Sequence, residues 1–360
     1  MLNSVLLQVM TDNPKIDINF LREVNLVKAK EKIEDIRISS LTKSTTSLMI
    51  KFDFILSKSK QRKAYLIKTN DVQSDNTYHS IAFNECQFYS YINNLNINDL
   101  PIAKCYFSHI MPEKQGSILI LDDLSLDYSS TKTNLSDKNI WLTASSSLAE
   151  LHAKFWNKPP NFFKKESNDI DQQINNHRET ISESLDKFII YIKGKVSPEL
   201  IDIYKHVEKV SNQLFYEKLI RCQDRENITL QHGDAHIYNF MFSKKHLHRA
   251  LITDFQFCNT GIACGDLAHL TRVNFADKFD LSFHQDLVKN YYNNLLDNEV
   301  SNYSWENCWS DYRKHVACML LIPMWQYSLF ASKLENLQDD LAYLLKNFKQ
   351  LECENLQTNT

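Results

Sequence analysis

Glycine is scarce: 360 residues contain only five. In such a chain each retained glycine should mark a backbone position of demanding geometry. Cysteine pairs are also missing. The eight cysteines are scattered, with no C-x-x-C and no ligand-like grouping with histidine. That excludes a zinc site or a disulfide framework and fits reduced thiols in a cytoplasmic compartment. No apolar signal core interrupts Met1 to Lys30, where charged residues recur throughout. The longest apolar stretch, Ala317 to Trp325, is far too short to cross a bilayer. The net charge of −3 gives no reason to expect binding to nucleic acid or to an anionic membrane. The basic run Lys58-Ser59-Lys60-Gln61-Arg62-Lys63 reads as a solvated hairpin. There is no internal repeat, no long low-complexity linker and no evident protein partner.

What remains is ordinary soluble material, 43% hydrophobic and 24% charged, long enough for two lobes around a cleft. Strand-like alternation covers Ile36 to Ser40, Ser47 to Leu56 and Lys63 to Thr69. A helix is expected from about Tyr78 to Asn93, then strands over Ile102 to Ser108 and Ser117 to Leu121. Asp122-Asp123-Leu124-Ser125 breaks the apolar run. Asp137 can cap a long amphipathic helix ending at Trp156 before Pro159-Pro160. Asp169 to Arg221 reads as mostly helical, and Gly265 onward as helical nearly to the end. The pattern predicts an α+β chain with a small β-rich N-lobe, residues 1–124, and a larger α-helical C-lobe, residues 125–360.

Three of the five glycines, Gly233, Gly261 and Gly265, fall in one region. There the chain reads His232-Gly233-Asp234-Ala235-His236-Ile237-Tyr238-Asn239, and later Ala250-Leu251-Ile252-Thr253-Asp254-Phe255-Gln256. An Asp, an Asn five residues on, and a second Asp ending an apolar β-like run form the arrangement kinases use. Asp234 would accept or orient a substrate hydroxyl proton. Asn239 and Asp254 would hold Mg²⁺ on ATP through oxygen donors, as a hard cation requires. Singly, the three could cap a turn, sit in a loop and end a strand; together, their spacing points to chemistry.

Other residues join them. Lys68 closes the strand Ala64-Tyr65-Leu66-Ile67-Lys68, where a lysine can reach the α- and β-phosphates of ATP. Glu85, on the following helix, can hold it in place. The plain alternatives are an exposed strand-end lysine and a solvated helix face. Asp122 and Leu124 would form a hinge where backbone groups read adenine. His236 could touch the transferring phosphoryl group, or be a core histidine. His232 should brace the loop. Asp266 suits a helix cap or a brace for the catalytic loop, and a structural role is preferred. The loop Leu41-Thr42-Lys43-Ser44-Thr45-Thr46-Ser47 stands where a phosphate-covering loop would lie, yet has no glycine. Trp305, Trp309, Tyr312, Trp325 and Tyr327 are expected mainly in the core.

These residues resemble the aminoglycoside phosphotransferase and choline kinase-like superfamily. Within it the sequence is most similar to the ecdysteroid kinase-like (CHK kinase-like) branch. The likeness rests on Asp254-Phe255-Gln256, on Leu121-Asp122-Asp123-Leu124 and on Leu148-Ala149-Glu150-Leu151-His152-Ala153-Lys154-Phe155-Trp156. It runs from about Lys68 to His269. The resemblance implies a bilobal protein-kinase-like fold and transfer of the ATP γ-phosphoryl group to a small-molecule hydroxyl. Only eleven residues separate Asp254 from Asp266, too few for an activation segment, which argues against a protein substrate. The expectation is an ATP- and Mg²⁺-dependent small-molecule kinase whose acceptor is an apolar or steroid-like alcohol. Its acceptor wall should come from Asn157 to Leu230 and the helices after Asp266. The alternatives are a pseudokinase or nucleotide-binding interaction module, and an aminoglycoside-type antibiotic phosphotransferase.

Overall fold

A computed structural model describes residues 2–11, 13–43, 47–71, 76–95, 97, 99–111, 116–130, 135–161, 169–246, 248–273, 275, 278–330 and 337–358. The chain divides into two compact units. The first is Met1–Ser129 with Ser243–His246 and Leu251–Cys258; the second is Ser130–Phe242, Leu247–Ala250 and Asn259–Thr360.

The first unit is built on a five-stranded antiparallel sheet. Its strands are β1 (Ile33–Lys43), β2 (Leu48–Leu56), β3 (Arg62–Asp71), β4 (Cys105–Ile110) and β5 (Gly116–Asp122), in the order β1-β2-β3-β5-β4. Alternation along β2 puts Leu48, Ile50, Phe52, Phe54 and Leu56 on one buried face. In β5 every residue from Gly116 to Leu121 is buried, so this strand is covered on both sides. Ile118 and Ile120 join the β2 face, over which pack Leu6, Val9, Phe20, Leu21 and Val24. These come from α1 (Leu2–Leu7), α2 (Ile18–Glu23) and the turns after them. By alternation Leu119 faces the other way, toward α3 (Asn76–Asn94), which packs on β4 and β5.

Sequence reading missed α1 and α2, which at six residues each are too short to show a helical period. It also drew the first strand short. β1 runs to 11 residues, most of them exposed, so it lacks the buried alternation that marks a strand. Ile102 lies outside β4 and makes an isolated parallel bridge to Ile252. Ser44, Thr45 and Thr46 of the glycine-free loop lie outside the described residues.

Short strands follow: β6 (Tyr128–Ser130), β7 (Thr229–Gln231), β8 (Phe240–Ser243), β9 (Ala250–Ile252) and β10 (Asn259–Gly261). The second unit is otherwise helical: α4 (Lys138–Lys154), α5 (Ile170–Ile192), α6 (Pro198–Asp224), α7 (Cys264–Leu270), α8 (Leu281–Asp297), α9 (Trp305–Cys318), α10 (Ile322–Phe330) and α11 (Leu337–Gln350). Asp137 caps α4 by accepting from the Asn139 N–H, and Trp141, Ala144, Leu148 and Leu151 form its buried stripe. The helix stops at Lys154, two residues before the expected end. The predicted helical stretch after Asp169 is two helices, broken at Gly194 (φ 78°) and restarted at Pro198. Among the described residues no helix is long and apolar enough to cross a membrane. The fold is α+β, with an antiparallel sheet in the N-terminal unit and a helical C-terminal unit.

Candidate active site

Two clusters of polar residues stand out, one in each unit. The first follows from sheet register. Lys68 pairs with Leu119 across β3 and β5, so it lies on the α3 side of the sheet. On α3, Glu85 is buried at 1% exposure. The Lys68 Nζ stands 2.7 Å from Glu85 Oε2 and 2.6 Å from Asp254 Oδ1. Burial opposes the charge on Lys68, but Glu85 and Asp254 together outweigh it and push its pKa up. The ammonium is therefore permanent.

Asp254 is held from the residue after it. The Phe255 N–H donates to Glu85 Oε1 at 3.2 Å, and the Phe255 ring stacks on Phe88 with centroids 4.1 Å apart. Asp254 itself sits in the left-handed region, φ 71° and ψ 63°. That conformation costs a non-glycine residue on the order of 1–2 kcal/mol, and the Phe255 anchor keeps it there. Residues 255–257 then form a 3₁₀ turn. Gln256 is thus helical, which is why this position needs no glycine.

The second cluster surrounds Asp234. Gly233 takes φ 84°, open only to glycine at low cost, so the expectation of demanding geometry holds for it. For Gly261 and Gly265 the demand is for space. A Cβ on Gly261 would lie 2.0 Å from Gln231 Oε1, and one on Gly265 2.3 Å from Gln231 Nε2. Gln231 fills the gap between them and donates to the Ile262 carbonyl at 2.7 Å. The two glycines seat a side chain immediately before the His-Gly-Asp loop.

The loop is fixed from below by Asp266. Its carboxylate accepts from the His232 N–H at 2.6 Å and the Gly233 N–H at 2.8 Å, and lies 3.0 Å from His152 Nε2. His152 Nδ1 is 2.7 Å from the Tyr291 hydroxyl. Burial would raise the Asp266 pKa, but the His152 hydrogen bond and charge, with the loop amides, hold it below the usual range. Asp266 is therefore a brace, and no side-chain hydrogen bond caps α7. His232 is buried, and its Nδ1 accepts from the Asp234 N–H at 3.3 Å.

Around the Asp234 carboxylate stand three basic groups: His236 Nε2 at 3.5 Å, His269 Nδ1 at 3.8 Å and an Arg272 guanidinium nitrogen at 3.8 Å. Burial, aided by Arg272, depresses both histidines, His269 to about 3, so both are neutral near pH 7. Burial also lowers the Arg272 pKa, against the pull of Asp234 and Asp340. Asn239 donates its Nδ2 to the Asp234 carbonyl at 2.8 Å, which turns its amide oxygen the other way. Asp122 accepts from the Tyr106 hydroxyl at 2.7 Å, and the Leu124 carbonyl accepts from the Tyr128 N–H at 2.9 Å.

The structure thus joins Lys68, Glu85 and Asp254 in the first unit, and Asp234, His236 and Asn239 in the second. Sequence reading missed His269 and Arg272 beside Asp234, and the tie from His152 to Asp266. The signal for the first pair was present. Asp266, His269 and Arg272 recur every three residues, the spacing of one helical face. Of the five late aromatics expected mainly in the core, only Tyr312 is fully buried; Trp305, Trp309, Trp325 and Tyr327 are half-buried.

The donor chemistry suits a nucleotide and its metal. Asn239 and Asp254 are oxygen donors, and Lys68 is a fixed cation. Among the described residues no group of three or more His, Cys, Asp or Glu is arranged to hold a metal ion. A Mg²⁺ ion held by either residue would draw its other oxygens from phosphates and water, as that ion usually does.

Comparison with known proteins agrees with this frame. No curated protein matches the sequence. Among solved structures, a candidate aminoglycoside phosphotransferase from Ralstonia eutropha JMP134 superposes with a TM-score of 0.55 at 13% identity, covering 93% of this chain and 96% of that one. An ethanolamine kinase from Plasmodium vivax gives 0.53 at 14% identity, covering 97% and 92%. A choline kinase from Cryptosporidium parvum gives 0.50 at 14%, covering 89% of each chain. The sequence itself matches the ecdysteroid kinase-like family over residues 43–301, most of the chain and both clusters. The protein therefore belongs to the ecdysteroid kinase-like family.

Proposed function

We propose that this protein transfers the γ-phosphoryl group of ATP to the hydroxyl of a small, largely apolar acceptor. The observation that carries the reading is Lys68, held at 2.7 Å and 2.6 Å by two carboxylates from distant parts of the sequence. A buried lysine with two anionic partners is costly as a structural device. It is economical as a preset phosphate clamp.

In this reading Lys68 contacts the α- and β-phosphates and Glu85 fixes its position. Asp254 and Asn239 each contribute an oxygen ligand to Mg²⁺. Backbone groups at Asp122 and Leu124 receive the adenine. Bound Mg-ATP would supply an electrophilic phosphorus and, as leaving group, ADP with its charge partly neutralised by the metal. Asp234 takes the acceptor's hydroxyl proton as the new O–P bond forms and the bond to the β-phosphate oxygen breaks. His236, neutral and 3.5 Å from Asp234, can donate a hydrogen bond to the transferring group. Arg272 orients the Asp234 carboxylate. Choline and ethanolamine kinases among the structural neighbours support a small hydroxyl acceptor. An aminoglycoside would need several matched carboxylates, one for each ammonium it buries. A cytoplasmic setting, with no nucleic-acid or protein partner, remains our expectation.

The test is Mg²⁺-dependent ADP release from ATP across a panel of small alcohols. Turnover with at least one apolar alcohol, lost in Asp254→Ala, is expected. Nucleotide binding with no transfer to any hydroxyl would make the protein an inert nucleotide-binding module instead.

A further inference from the structure

One edge of the five-stranded sheet is open. Its outermost strand, β1, is 11 residues long, and every residue except Ile33 and Ile36 is exposed. β2 pairs with one side of it. Among the described residues no strand pairs with the other side, and no backbone hydrogen bond reaches 33–42 from outside the β1–β2 ladder. The opposite edge, β4, is six residues long and mostly half-buried.

A long bare edge is a row of unpaired N–H and C=O groups, and natural sheets blunt such edges with proline or charge. β1 has no proline, and its run Ile38-Ser39-Ser40-Leu41-Thr42 carries no charge. Ile38 and Leu41 are 39% and 43% exposed. The edge is therefore built to be paired.

Register identifies the partner. Ile36, Ile38 and Leu41 lie opposite Phe54, Phe52 and Ile50, so all three share the apolar face of the sheet. Asp35, Arg37, Ser40 and Thr42 lie opposite Ile55, Asp53, Lys51 and Met49 and share the other face. The register shift between Ile38 and Ser40 resets the alternation halfway along the strand. The two halves of β1 thus mirror each other about a point between Ile38 and Ser39. Laid antiparallel on itself there, β1 sets Ile36 against Leu41, Arg37 against Ser40 and Asp35 against Thr42, each pair on one face. At the ends Glu34 meets Lys43. No like charges are opposed. A slip of two residues spoils the match, setting Ile36 against Lys43 in one direction and Glu34 against Leu41 in the other.

We propose that β1 pairs antiparallel with β1 of a second copy of this chain, extending the sheet across a two-fold axis. Backbone N–H and C=O groups along the strand supply the bonds. The Ile36–Leu41 and Glu34–Lys43 pairs each occur twice and fix the register. That internal symmetry fits a second copy and not a foreign strand. Glu34 also meets Lys60 of its own chain, but both side chains are exposed and that contact uses one carboxylate oxygen. The pairing is independent of the chemistry proposed above.

The test is sedimentation equilibrium of the full-length chain over a wide concentration range. The wild type should form a reversible dimer at micromolar concentrations. Glu34→Lys and Lys43→Glu each oppose like charges twice across the axis, so each should raise the dissociation constant by about tenfold or more. Mixed in equal amounts, the two variants regain both opposite-charge pairs, and the mixture should dimerise within about threefold of the wild type. A wild type that stays monomeric at the highest concentration, a dimer indifferent to both variants, or a mixture that stays monomeric overturns the pairing. Circular dichroism checks that each variant is folded. Should one unfold, hydrogen exchange on the wild type decides. The amides of 33–43 should exchange more slowly as concentration rises, and exchange independent of concentration overturns the proposal.

Discussion

The two polar clusters are built to opposite specifications. Around Lys68 the charges touch: one ammonium and two carboxylates within 2.7 Å. Around Asp234 the neighbours stand off, two neutral histidines and one guanidinium at 3.5 Å to 3.8 Å. The first cluster holds its ammonium between two carboxylates before any ligand arrives, with one negative charge in excess. The second leaves room near its carboxylate for another atom. A clamp for a polyanion gains from being rigid in advance, while a base must leave space for the proton it takes. The scaffolds differ in the same sense. Phe255 locks the first cluster through a stack and one N–H bond. The second is fixed through its loop backbone by Asp266, which accepts from the two amides that precede Asp234.

The comparison breaks most readily at Lys68. Lys68→Ala should leave Glu85 as a buried, unmatched carboxylate, at a cost of about 3–5 kcal/mol. It should also abolish measurable Mg-ATP affinity. Chemical denaturation and calorimetry read the two effects, and a variant as stable as the wild type would show that the triad carries little strain. Next comes the seat of the second cluster. Gly265→Ala would displace Gln231 and crowd His315, at about 1–3 kcal/mol. Gln231→Ala should recover part of that loss, because the contact at 2.3 Å is with the Gln231 side chain. A double-mutant cycle with no coupling would remove Gln231 from the account.

The third effect is a pH dependence, specific to the helical unit and spread over about two pH units rather than lost at a stroke. Burial pushes His284 down to about 4 from an ordinary 6.5, and His177 likewise to about 4. Between those values the unfolded chain binds more protons than the folded one. Stability therefore rises with pH through that window and is lost on acidification. His284 alone would contribute on the order of 3 kcal/mol. The melting temperature should fall between roughly pH 6.5 and pH 4 and fall less in His284→Gln. An unchanged slope in that variant would place the loss elsewhere.

How far sequence could see depended on the kind of signal. Lys68 and Glu85 were legible because period-two alternation assigns a strand face, and a helix next along the chain packs on it. The α+β order was legible for the same reason. β1 was under-read because exposed residues hide its alternation. The spatial neighbours of Asp234 were harder. His269 and Arg272 lie 35 and 38 residues further along, and only the packing of α7 brings them back. The purpose of Gly261 and Gly265 was hidden because it belongs to a third residue, Gln231.

The division of labour between the clusters is tested most directly by Asp234→Asn, in two readings on one protein. Mg-ATP affinity by calorimetry should stay within about threefold of wild type, since the role proposed for Asp234 is toward the acceptor hydroxyl. Phosphoryl transfer to whichever alcohol the wild type uses should fall by roughly 10²–10⁴-fold. Transfer at the wild-type rate, or a loss of nucleotide affinity as large as the loss of transfer, would contradict the account.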